Sequence, residues 1–76
     1  MTEFDNLKNG YIASIQFGLL TNAGYENCKS ANEAIHRFLE ICIDNSNYSN
    51  KIAMKQELKL LKESLSEEIE RYYQHR

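Results

Sequence analysis

The pair best suited to proton transfer in this chain is His36 with Glu40, four positions apart. On a helix that spacing puts an imidazole and a carboxylate on one face. General acid–base catalysis also needs a nucleophile or an oxyanion donor close by, and the residues around this pair supply neither. Cys28, His36 and Cys42 share no metal-ligand spacing, and neither CxxC nor HExxH occurs. Gly18 and Gly24 are too far apart for a phosphate-cradling loop and lack the Lys-Ser/Thr that would follow one. The expectation is a protein that is not an enzyme, with no cofactor and no metal. Cys42 is expected to fill a small core position, and Cys28 to be a passive thiol in a loop.

The chemistry with more pattern to it is charge. Between Ser49 and Arg76 the lysines Lys51, Lys55, Lys59 and Lys62 come first, and Glu63, Glu67, Glu68 and Glu70 follow. Met54, Leu58, Leu61, Leu65, Ile69 and Tyr72 recur at steps of four and three, so this segment reads as one long amphipathic helix. Its charges run against the helix dipole, which favours acids at the start and bases at the end. Pairs such as Lys59 with Glu63 recover part of that cost. An antiparallel neighbour would offset the rest, its glutamate half lying beside the lysine half. A second copy of the chain meets that requirement, because a twofold interface matches one patch with itself inverted. The expected self-association or partner-binding residues are Lys51, Lys55, Leu58, Lys59, Leu61, Lys62, Glu63, Leu65, Ile69, Glu70, Tyr72 and Tyr73. The tyrosines belong there because Tyr and Arg are favoured at binding hot spots. Tyr72 continues the apolar stripe, and Tyr73 is expected to be the more exposed.

Two further segments must position this helix. Thr2 and Asp5 form a capping-box pattern, and Phe4, Leu7, Tyr11, Ile15 and Leu19 keep helical spacing over about residues 3–20. Asn9-Gly10 is a competing hairpin signal. Gly10, Ser14 and Gly18 are spaced by four and would make a smooth strip open to close approach by another backbone. Gly24 is expected to end this helix. Tyr25 to Lys29 reads as a loop. Ser30 with Glu33 is a second capping box, predicting a helix over about 30–43 with Ala34, Ile35, Phe38, Leu39 and Cys42 on its apolar face. Asp44-Asn45-Ser46-Asn47 ends it, and the long helix covers about 50–74. The expected fold class is all-α, a single three-helix domain that is expected to assemble as a helical homo-oligomer.

Composition bounds the function. A chain of 76 residues with two cysteines cannot be a disulfide scaffold, and small domains often need a partner for stability. No apolar run is long enough to span a membrane, and the acidic start is unlike a signal peptide, which points to a cytoplasmic protein. The sequon at Asn47-Tyr48-Ser49 carries no weight without such a signal. A net charge of -2 argues against a dedicated nucleic-acid binder. The expected function is protein–protein interaction: an inhibitor, an immunity or antitoxin protein, or a regulatory accessory of the kind phages and plasmids carry. One alternative is a nucleic-acid-associated transcriptional regulator using the Lys51–Lys62 stripe. The other is an oligomer sequestering a small ligand in a pocket formed between chains by Tyr11, Tyr72 or His75.

Overall fold

Thr2 opens helix α1 (Glu3–Leu20): its hydroxyl accepts from the Asp5 N–H at 3.1 Å, and the Asp5 carboxylate accepts from the Thr2 N–H at 3.3 Å. These bonds satisfy two of the donors that every helix start leaves unpaired. The helix runs through Asn9-Gly10 without a turn. Tyr11, Ile15 and Leu19 bury one face, and no hairpin at that point would keep them together. The computed structural model describes residues 2–74. It continues with α2 (Tyr25–Asp44) and α3 (Lys51–Gln74), and contains no strand among the described residues. The α2–α3 interface is the largest and the α1–α3 interface the smallest, in a bundle 43 × 18 × 18 Å across.

The start of α2 differs from the sequence expectation. Ser30 and Glu33 lie inside the helix, and residues 25–29, expected as a loop, form its first turns. Gly24 is the N-cap, with φ at 106°, a conformation that disfavours any residue with a Cβ. The helix therefore begins at a glycine rather than ending at one. No side chain caps this start; tertiary contacts hold it instead. The Gly24 N–H donates to the Tyr73 hydroxyl at 3.1 Å, and the Tyr25 ring meets Tyr73 edge-on with centroids 6.0 Å apart. The Tyr25 hydroxyl also donates to the Glu70 carboxylate. Packing against the end of α3 outweighs a local capping pattern worth about 1 kcal/mol.

Each helix contributes three buried apolar side chains: Tyr11, Ile15 and Leu19; Cys28, Leu39 and Ile43; Leu58, Leu65 and Ile69. Fully burying one Leu or Ile contributes roughly 1.5–3 kcal/mol. The inward face of α2 also differs from the expected one. Cys28, Asn32, His36, Leu39 and Ile43 point inward. Of the expected apolar face only Leu39 is buried; Ile35 and Cys42 are half-buried, and Ala34 and Phe38 are exposed. The two cysteines thus exchange their expected places, Cys28 entering the core and Cys42 staying at its margin. No helix among the described residues is long and apolar enough to cross a membrane.

Candidate interaction surfaces

The side chains expected to form a seam on α3 divide between the core and the surface. Leu58, Leu65 and Ile69 are buried within the chain, and Leu61 is half-buried against the same core. They pack on α1 and α2, so a seam through them would require the bundle to open. Lys51, Lys55, Lys62, Glu70, Tyr72 and Tyr73 are half-buried, while Lys59 and Glu63 are exposed.

The antiparallel neighbour that the sorted charges call for is present in the chain itself. Helix α2 runs back along α3, and its acidic C-terminus meets the lysine end of α3. Lys55 Nζ lies 2.9 Å from the Asp44 carboxylate, and Lys51 Nζ donates to the Asp44 carbonyl at 3.0 Å. The bond to Asp44 raises the pKa of Lys55 above its ordinary value. At the other end, Glu70 accepts from Tyr25, which raises the phenol's pKa. Lys8 on α1 reaches Glu57 at 3.4 Å. Among the described residues, Lys59, Glu63 and Glu67 form no ion pair.

His36 and Glu40 do lie on one face, with Nδ1 3.7 Å from the Glu40 carboxylate. The imidazole is buried, and its Nε2 has no hydrogen-bond partner among the described residues. Burial lowers its pKa below the ordinary value, with Lys62 adding to the effect and Glu40 opposing it. Ile52, Lys55, Gln56 and Lys59 line a shallow groove beside this pair. Among the described residues, no group of three His, Cys, Asp or Glu side chains is placed to hold a metal.

Of the residues expected to line a ligand pocket between chains, Tyr11 and Tyr72 occupy different places in the bundle. Tyr11 is in the core, its hydroxyl bonded to Asn32. Tyr72 lines a separate shallow groove with Gln16, Leu19, Leu20 and Glu68, and His75 lies outside the described residues. Tyr73, expected to be the more exposed of the two tyrosines, is half-buried like Tyr72: its hydroxyl accepts from the Gly24 N–H and sits 3.7 Å from the Cys28 sulfur. The small-residue strip splits. Gly18 is half-buried, and a Cβ there would meet the Cys28 sulfur at 3.3 Å. Gly10 and Ser14 are exposed, and a Cβ on Gly10 would face open space.

What the sequence reading missed is the apolar surface left outside. Phe17 (68% exposed) and Leu20 (81%) project from α1, Phe38 (62%) and Ile41 (51%) from α2, and Ile52 and Leu60 from α3. On α1 the signal was legible as a second heptad-like register, Asn6, Gly10, Ala13, Phe17 and Leu20, running beside the core register. No family model, curated protein or solved structure matches the chain.

Proposed function

We propose that this chain works without catalysis, by binding another protein through the exposed apolar surface of α2, as an inhibitor, antitoxin-like or regulatory protein does. The observation that carries this reading is the exposure of Phe38 and Ile41. They lie three positions apart on α2, with Ala34 one turn before Phe38, so they share one face. Aromatic and aliphatic side chains of this size on so small a domain are costly in water and characteristic of contact surfaces. Tyr11, Asn32, Tyr25, Glu70 and Lys55 support the same reading, since their polar groups are engaged in joining the helices.

The test is affinity capture from cells that express the protein, comparing the native chain with Phe38→Asp and Ile41→Asp. Both positions are exposed, so the variants should retain the native thermal transition. The expected result is a protein retained in stoichiometric amount by the native chain and lost with both variants. Capture unchanged by either substitution, or no retained protein at all, would sink this reading.

A further inference from the structure

The outer face of α1 has its own self-complementary pattern. Gly10, Ala13, Phe17 and Leu20 step by three, four and three, on the side of the helix opposite Tyr11, Ile15 and Leu19. All four are exposed. From Asn9 to Tyr25 the sequence contains no Asp, Glu, Lys or Arg, although a quarter of the chain is charged. Depletion of charge together with an exposed aromatic is the composition of an interface core rather than of a solvated face.

The four side chains are also sorted by size. Gly10 and Ala13, in the N-terminal half, are small; Phe17 and Leu20, in the C-terminal half, are large. A parallel pair of such helices would set Phe17 on Phe17 and leave a gap between two glycines. An antiparallel pair about a twofold axis level with Ile15 sets Gly10 against Leu20 of the second copy, and Ala13 against Phe17 of the second copy. The symmetry repeats both contacts. Every layer then joins one small residue to one large one, the arrangement that lets facing helices interdigitate. The open space over Gly10 is what an incoming Leu20 requires. The two α1 dipoles also oppose each other in this arrangement, which is weakly favourable.

We infer that the chain forms a twofold homodimer through α1, with Phe17 and Leu20 of each copy seated over Ala13 and Gly10 of the other. This inference extends the reading above, that the chain acts through protein contacts, to a different face and a defined occupant. The contact is isologous and closed, so assembly stops at two copies. It leaves Phe38 and Ile41 on α2 available to another protein.

Ser14 flanks the seam close to the axis, where it lies beside Ser14 of the second copy. In a Cys42→Ser background, Ser14→Cys should therefore oxidise readily to a covalent dimer, and Gln56→Cys on the outer side of α3 should not. Adding Phe17→Asp or Ala13→Phe should suppress the Ser14→Cys dimer by at least tenfold in rate. The first buries a charge and the second sets two large rings against each other. Both sites are exposed, so unchanged helical circular dichroism and melting would show that the fold persists. Cross-linking indifferent to both substitutions, or no faster than at Gln56→Cys, would overturn the dimer. A monomer that captures a different protein, and loses it with Phe38→Asp but not with Phe17→Asp, would also overturn the dimer while leaving the proposed function standing. An intact cross-link in a chain that captures nothing would support the dimer and sink the proposed function.

Discussion

The hydroxyl of Tyr11 on α1 donates to the side-chain oxygen of Asn32 on α2, inside the bundle. The amide of the same asparagine donates to α3, to the Lys62 carbonyl at 3.2 Å and the Ser66 hydroxyl at 2.9 Å. One buried residue thereby ties all three helices together. Burial pushes the Tyr11 pKa up to about 12, so the phenol remains a neutral donor throughout the physiological range. A satisfied polar centre of this kind fixes the register of the helices as well as their proximity.

Breaking that centre from one side should be costly. Tyr11→Phe leaves the Asn32 oxygen buried with a donor removed, and should lower unfolding stability by about 1–3 kcal/mol. Asn32→Ala should cost at least as much, since it strands the tyrosine hydroxyl and opens a cavity. The double variant Tyr11→Phe with Asn32→Ala should be less destabilised than the sum of the single changes, because neither member of the pair is then left without the other. Urea denaturation of the four proteins checks this; strict additivity would mean that the bond contributes nothing.

Acid should weaken the fold through His36. Its folded pKa is lowered by burial, so the unfolded chain binds a proton more readily than the folded one. Above the ordinary value of about 6.5 both forms are neutral and the full stability is present. Below it the unfolded state gains protons first, and stability falls until the folded pKa is passed. Glu40 and Lys62 face the imidazole and act in opposite directions, the carboxylate moderating the shift. His36→Leu should flatten the stability profile below about pH 6.5. An unchanged slope in that variant would assign the acid sensitivity elsewhere.

The lysine end of α3 should answer to α2. Asp44→Lys should lower the melting temperature slightly, and combining it with Lys55→Glu should restore much of the loss by re-forming the pair in reverse. Both effects should shrink in high salt, because the pair is partly exposed to solvent. Failure of the reversed pair to recover any stability would mean that the contact is incidental.

The two glycines of α1 should respond differently to alanine. Gly10→Ala adds a methyl group in open space and removes backbone freedom from the unfolded chain, so it should stabilise the fold by roughly 0.5–1 kcal/mol. Gly18→Ala carries the same backbone gain but pushes on the Cys28 sulfur, and its net benefit should be smaller or reversed. Thermal melts at low protein concentration compare the two directly.

Much of the architecture was legible in the sequence. The Thr2–Asp5 capping box and the spacing of Tyr11, Ile15 and Leu19 gave α1, and the stripe from Met54 to Tyr72 gave α3. The start of α2 was not legible, because Ser30 and Glu33 are a sound local signal overruled by distant contacts: Tyr73 on Gly24, and Glu70 on Tyr25. The same non-local cause hid the inward turn of Asn32 and His36, which polarity alone places at the surface. The sorted charges of α3 were read as calling for a second copy of the chain, whereas the contact the structure shows at the lysine end is with Asp44 of α2. Sequence spacing could not say that α2 of the same chain stands beside its lysines. The second register on α1 was readable, yet the glycine spacing at Gly10, Ser14 and Gly18 drew attention away from Ala13, Phe17 and Leu20.

The seam proposed on α1 carries no charge, unlike α3, so self-association through it should be independent of salt. Solution mass by light scattering, over a wide range of concentration and at low and high salt, tests it most directly. The account predicts a mass rising from the 8.9 kDa of one chain toward twice that value, undiminished by salt and abolished by Phe17→Asp. A monomer at every concentration, or a dimer that salt dissolves and Phe17→Asp leaves intact, would contradict it.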